Sequence, residues 1–177
     1  LSFGTESQNF DQFVVSTGAW SNIIANYIGD NFPLDTERGY HVLFDNSEEL
    51  INRPIGWSQS GFYLIQIAEG IRAAGTVEIA GLHKKPNEKR IRMIERQARK
   101  ILPQLGKVKK EWMGFRPTLP DSLPVIGPSQ KNKRIFYAFG HQHIGWTLAA
   151  VTGKIIDSLI KETQPNIDIQ AFSPNRF

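Results

Sequence analysis

The sequence predicts an α+β fold: an antiparallel-rich sheet with helices, joined to a partial α/β layer. Three observations lead there. Strand–glycine–helix steps occupy residues 13–29 and 135–160. Between them lie short apolar runs separated by glycine turns with no helical period, which indicates antiparallel pairing. One strongly amphipathic basic helix interrupts those runs.

Taken in order, Phe13-Val14-Val15-Ser16 reads as a short buried strand ending at Gly18. Residues 20–27 read as a helix that Gly29 stops. Residues 39–44 and 62–67 read as strands, and the Glu69-Gly70 turn leads into two more at 71–74 and 76–80. Asn87 is a suitable N-cap for the basic helix, which must end before Pro103. Residues 109–115 form a further strand. Residues 135–139 are almost wholly apolar, as a central strand covered on both faces would be. Residues 145–160 form the last long helix, with Leu148, Val151, Ile155, Ile156 and Leu159 inward. An α/β pattern that gives way to β and then returns fits a two-domain enzyme whose chain leaves one domain and comes back.

A chain of 177 residues with 40% hydrophobic and 11% aromatic content is long and apolar enough to bury a core, which excludes a disordered chain. There is no cysteine, hence no disulfide and no thiolate metal site, which favours a cytoplasmic setting. The net charge of +4 is uneven: 11 lysines and arginines crowd residues 84–110, with Glu88 and Glu95 between them. Such a cluster fits nucleic acid or anionic lipid. It fits equally the outer face of one amphipathic helix, since Ile91, Ile94, Ala98 and Ile101 form a stripe beneath the charges. The latter is favoured, because no nucleic-acid motif accompanies the cluster. The amino terminus lacks a basic segment followed by an apolar run, so no signal peptide is expected, and Lys154 and Asp157 break the longest apolar stretch. The expectation is a soluble protein, at most peripheral to a membrane.

Two motifs carry chemistry. In Trp112-Met113-Gly114-Phe115-Arg116-Pro117 the arginine presents a planar fork suited to both oxygens of a carboxylate, and Pro117 biases it toward an extended conformation. An ion pair with Asp121 is the competing role. In Gly140-His141-Gln142-His143-Ile144-Gly145-Trp146-Thr147 a strand breaks at glycine into a helix, whose free amides and dipole favour negative charge. An ordinary βα turn would look the same. Together they fit a small acid held beside a large anionic cofactor. His141 and His143 lack a third ligand nearby, so no metal site is expected.

In spelling and order these motifs resemble the C-terminal half of FAD-dependent amino-acid oxidoreductases of the D-amino-acid oxidase superfamily, with bacterial D-amino-acid dehydrogenases nearest. The resemblance extends to Ser16-Thr17-Gly18-Ala19-Trp20-Ser21, to Asp35-Thr36-Glu37-Arg38-Gly39-Tyr40, to Ala74-Gly75-Thr76-Val77-Glu78 and to Asn175-Arg176-Phe177. It implies a partial FAD-binding domain over 1–34, a substrate-binding domain over 35–118, and a return to the FAD-binding domain over 119–177. It implies Arg116 as the anchor of the substrate carboxylate, with Tyr40 beside it, and no side chain as acid–base catalyst. It gives FAD contacts to Gly18, Ala19, Trp20, Gly140, His141, Ile144, Gly145, Trp146 and Thr147. Gln142 departs from the family's commoner Gly-His-Gly spelling. The implied reaction is oxidative deamination of a D-amino acid by hydride transfer to flavin. A glycine- or sarcosine-type amine oxidase is the alternative, and a non-catalytic basic binding module is the alternative from another class. No G-x-G-x-x-G fingerprint is present. The expected partners are therefore an amino-acid substrate and the N-terminal half of the same enzyme, with no nucleic acid. A quinone acceptor would bring the protein to the periphery of the inner membrane. Alone, this stretch is expected to bind FAD poorly, to be inactive and to expose an apolar face.

Overall fold

A computed structural model describes residues 2–3, 6–45 and 49–177. The fold is α+β, as expected. Its first strands and helix are β1 (Ser2–Phe3), β2 (Glu6–Ser7), β3 (Phe13–Val15) and α1 (Ser21–Ile28). Then come β4 (Asp35–Phe44), β5 (Ile55–Trp57), β6 (Phe62–Ile67), β7 (Gly70–Ile79) and α2 (Glu88–Ile101). The chain ends with β8 (Val108–Thr118), β9 (Val125–Pro128), β10 (Ile135–Phe139) and α3 (Gly145–Ile160). β1 and β2 pair antiparallel. Two compact units result, Leu1–Thr36 with Arg116–Phe177, and Glu37–Phe115.

In the first unit, β10 lies between β3, to which it is parallel, and β9, to which it is antiparallel. Alternation along this strand feeds two cores. Tyr137 and Phe139 join Val15, Ala25, Phe32 and Leu119, whereas Phe136 joins Ile126, Ile155 and Ile156. Phe32 meets the rings of Tyr137 and Phe139 edge-on, at centroid distances of 5.0 and 5.4 Å. Buried Asp30 accepts hydrogen bonds from the Tyr137 hydroxyl (2.8 Å) and from the Ser129 hydroxyl. Desolvation, then this carboxylate, raises the Tyr137 pKa. One expectation for α3 is corrected. Val151 is 38% exposed, and the inward stripe begins at Thr152, continuing through Ile155, Ile156 and Leu159. The other expected positions stay inward or half-buried, and the buried Thr152 has its hydroxyl 3.0 Å from His141 Nε2.

In the second unit the sheet order is β5-β6-β7-β4-β8. One face packs on α2: Tyr40, Val42, Phe44, Phe62, Leu64, Ile71 and Ala73 meet Ile91, Ile94 and Ala98. At roughly 1.5–3 kcal/mol per fully buried large aliphatic or aromatic side chain, this face dominates the unit's stability. The basic segment is thus the outer face of an amphipathic helix. Asn87 caps it, its side chain accepting from the Lys89 amide, and Arg99 closes the other end by donating to the carbonyls of Leu105 and Gly106. The two strands expected over 71–80 are one, β7. Gly75 is no turn: a Cβ there would lie 2.4 Å from the Gly61 carbonyl oxygen and from Phe62 Cβ. The glycine lets the end of β6 approach, and β7 continues past it paired with β4 across a register shift.

Sequence reading also missed a buried polar centre. Glu78 accepts from the Tyr40 hydroxyl and from the Asn87 side-chain amide (3.2 Å), with Arg38 and Arg90 each 3.8 Å away. The Asn87 amide donates to the Tyr40 hydroxyl at 3.1 Å, so the sheet holds the start of α2. Arg38 is fully buried, and its guanidinium otherwise lies over the Phe115 ring. The Tyr40 hydrogen bond, opposed by burial, holds the Glu78 carboxyl below its ordinary value of 4.5. A depressed carboxyl stabilises the fold fully above its unfolded pKa, and that contribution is lost as pH falls through the lower folded value. Glu78→Gln leaves two guanidinium groups without their counter-charge and should cost about 3 kcal/mol, read as a lower melting temperature at pH 7. The gap between variant and parent should shrink as pH falls below the ordinary carboxyl range and through the lower folded value; a gap that stays constant with falling pH would contradict the assignment.

Candidate functional site

The chemistry-bearing motifs of the first unit meet at one backbone contact. β8 runs into Arg116 and Pro117, and the edge position of this strand tolerates a proline that cannot donate. The Pro117 carbonyl accepts the Gln142 amide at 3.1 Å. This tether fastens the end of the arginine strand to the turn between β10 and α3. Gln142, the residue that departs from the spelling the resemblance led us to expect, has φ +50°, a left-handed conformation that glycine adopts without strain.

Gly140 is required twice over. Its φ is +88°, and a Cβ would lie 2.6 Å from Leu119 Cδ1, so the turn sits directly on the segment that follows Pro117. His141 is half-buried, and its Nε2 lies 3.0 Å from the Thr152 hydroxyl oxygen. Burial lowers its pKa, so it is neutral at pH 7. The Ile144 amide donates to the His141 carbonyl, closing the turn. α3 then begins without a side-chain cap and without an acidic residue in its first turn. Trp146 is 98% exposed, and Ile144, Trp146 and Thr147 all face solvent. An uncapped, acid-free helix start edged by apolar side chains fits an anionic planar group such as the flavin ring of FAD.

After Pro117 the chain turns, with the Ser122 amide donating to the Leu119 carbonyl. Asp121 does not serve there as a lone partner for Arg116: both of its oxygens are held by Arg176, Nε at 2.6 Å and a terminal nitrogen at 3.3 Å. Arg176 also donates to the Leu123 carbonyl. That grip holds the Asp121 carboxyl below its usual range. Pro174 adds to it, packing where Gly127 has no Cβ.

The other expected residues are less convergent. Gly18 has φ +58°, but a Cβ would meet nothing within 4 Å. Its left-handed backbone conformation favours glycine on its own account. Ala19 is buried, and Trp20 is exposed together with Ile23 and Tyr27, the last at 89%. Their spacing makes an apolar stripe along α1. Tyr40 belongs to the second unit. Tyr40, expected beside the substrate, is fully buried, with its hydroxyl committed to Glu78 and Asn87, so it orders α2. Thr152, Arg176 and Glu78 were missed, since each acts through a partner far away in sequence.

A strand-borne arginine and an uncapped helix start thus share one mounting, the first suited to a carboxylate and the second to negative charge. The chain belongs to the FAD dependent oxidoreductase family, whose model matches residues 2–159. It is 41% identical over 172 residues to a D-amino-acid oxidase of Bradyrhizobium diazoefficiens, covering 94% of this chain and 41% of that protein. It is 28% identical over 163 residues to a D-amino acid dehydrogenase of Granulibacter bethesdensis, covering 89% and 38%. The fold is that of the crystal structure of glycine oxidase from Geobacillus kaustophilus, with a TM-score of 0.83 at 20% identity over 94% of this chain and 45% of that one. The chain spans about two fifths of the length of the curated relatives it matches. FAD is the cofactor of the family. Among the described residues, no helix is long and apolar enough to cross a membrane.

The turn yields a direct test. Gln142→Gly should relieve left-handed strain and stabilise the unit by about 0.5–1 kcal/mol, whereas Gly140→Ala should destabilise it by at least about 2 kcal/mol. Denaturant unfolding of both variants checks the pair; equal effects of one sign would contradict the geometry.

Proposed function

We propose that the chain supplies the substrate domain and the closing part of the cofactor domain of an FAD-dependent D-amino-acid dehydrogenase or oxidase. In this reading residues 37–115 are the substrate side, and the remainder belongs to the FAD side. The observation that carries it is the Gln142–Pro117 tether, which gives Arg116 and the α3 start a common, rigid mounting. Arg116 holds the substrate carboxylate in a two-point grip, and Pro117 limits its freedom. The amides at residues 145–147, with the helix dipole behind them, stabilise negative charge on the group they face. His141, neutral and occupied with Thr152, holds the turn and abstracts no proton. FAD, when bound, supplies an acceptor for the hydride of the substrate α-carbon. With a proton also lost from nitrogen, the substrate becomes an imino acid, which water converts to a keto acid and ammonia. The exposed stripe of α1 is where the remainder of a family-length protein packs. The likeness to glycine oxidase favours one further reading, a glycine-type amine oxidase using the same arginine.

Assays of the family-length protein across D-amino acids, glycine and sarcosine, with oxygen and quinone compared, test this reading. Activity on none of these substrates would sink it, and a quinone requirement would place the enzyme at the membrane periphery. In that protein Arg116→Lys keeps the charge but loses the planar fork. The expected loss is on the order of 2–4 kcal/mol in transition-state stabilisation, with flavin content and melting temperature unchanged. Near-normal kcat/KM with a lowered melting temperature would show a structural role instead.

A further inference from the structure

The outer face of α2 has an organisation that core packing does not account for. Its exposed positions are Glu88, Lys89, Arg92, Arg96 and Lys100. At 3.6 residues per turn, the four cations fall within an arc of roughly 80°. That arc points directly away from the stripe of Ile91, Ile94 and Ala98, which packs on the sheet. From Lys89 to Lys100 the row runs for roughly 17 Å along the helix. Lys84 and Lys85, both exposed, extend it beyond the Asn87 cap.

The row is poorly neutralised. Glu78 pairs with Arg90 and Glu95 with Arg99, while Arg92 lies 3.6 Å from Glu95 and 3.8 Å from Glu111. Among the described residues, Lys84, Lys85, Lys89, Arg96 and Lys100 make no ion pair. Arg92 and Arg96, and again Arg96 and Lys100, are like charges four residues apart. Lys89 and Arg92 also stand near the positive end of the helix dipole. Each of these placements works against the helix, and a surface that supplies negative charge along the whole row relieves them together. The exposed positions of α2 include no aromatic side chain, so the row offers no platform for a base. Beside its start lies a cleft of about 360 Å³, lined by Pro86, Ile91, Trp112 and Met113 together with the charged Lys85, Glu88 and Glu111. Apolar surface bordering a row of cations matches a lipid surface, anionic outside and apolar within.

We propose that the outer face of α2, with Lys89, Arg92, Arg96 and Lys100 in a row and Lys84 and Lys85 at its start, docks on an anionic phospholipid membrane surface. The helix lies along that surface with its cations at the headgroups. The attraction is electrostatic, reaches about one Debye length and is screened by salt. It does not rest on the reaction proposed above, and no bond is made or broken.

Flotation of the chain with lipid vesicles reads the docking directly. Vesicles of phosphatidylcholine with about one third phosphatidylglycerol should bind it at least about tenfold more tightly than phosphatidylcholine alone, and salt of about 0.5 M should release it. Arg96→Gln and Lys100→Gln should each weaken binding by about fivefold, the factor that one cation near such a surface contributes. Neither residue has an ion-pair partner to lose among the described residues, so the melting temperature should hold or rise as repulsion is relieved. Lys133→Gln, an exposed cation between β9 and β10, should leave binding unchanged. Equal binding to both kinds of vesicle would assign the contact to the exposed apolar stripe of α1 and overturn the proposal. Binding to anionic vesicles that the α2 substitutions do not weaken would overturn it too. Tighter retention of a mixed-sequence DNA duplex than of anionic vesicles at equal salt would give the face to nucleic acid and overturn it as well.

Discussion

The hydrogen bond from the Gln142 amide to the Pro117 carbonyl joins two stretches that the sequence separates by more than twenty residues. One bears the arginine that suits a carboxylate, the other the helix start that suits an anionic ring. A net hydrogen bond contributes about 0.5–1.5 kcal/mol, while a non-glycine residue in the left-handed region costs roughly 1–2 kcal/mol. The tether alone therefore does not offset the strain at Gln142. The difference is supplied by packing around it: Gly140 against Leu119, the His141–Thr152 contact, and the anchoring of β10 in two cores. The turn is held by its surroundings, as a strained functional segment must be.

The second unit solves a different problem. Its sheet buries one face under α2, while the other face mixes buried, half-buried and exposed side chains such as Leu43, His41 and Tyr63. Tyr40 and Glu78 pair with each other, since buried polar groups are costly unless fully paired, and here they fix where the helix starts. His41, one residue further along β4, lies on the opposite face and stacks on Trp112. One step along a strand thus exchanges a fully buried side chain for a half-buried one on the opposite face.

Much of this was legible in the sequence. The periodic stripe of Ile91, Ile94 and Ala98 announced α2, Asn87 its cap, and the apolar run at 135–139 a central strand, because each signal is local. Arg116 and the Gly140 turn were legible as motifs through their resemblance to a family. The misreadings came from long-range pairing. Gly75 looked like a turn because sequence does not show that β6 presses against it. Tyr40 looked free because Glu78 and Asn87 lie 38 and 47 residues away. Val151 was placed inward by hydrophobicity, whereas Thr152, bonded to half-buried His141, is the buried one. Asp121 looked like the neighbour of Arg116 until the last turn of the chain brought Arg176 to it.

The central claim is that Arg116 and the α3 start share one mounting, and amide hydrogen exchange at Gln142 tests it most directly. The amide of a residue in an exposed polar turn exchanges at close to the rate of an unstructured peptide, whereas one bonded to a strand end opens only with its unit. The account predicts that the Gln142 amide is protected together with the amides of β10, and that Gly140→Ala abolishes this protection. Exchange of the Gln142 amide at the unstructured rate in the unaltered chain would contradict the account, leaving the arginine strand and the helix start as independent features.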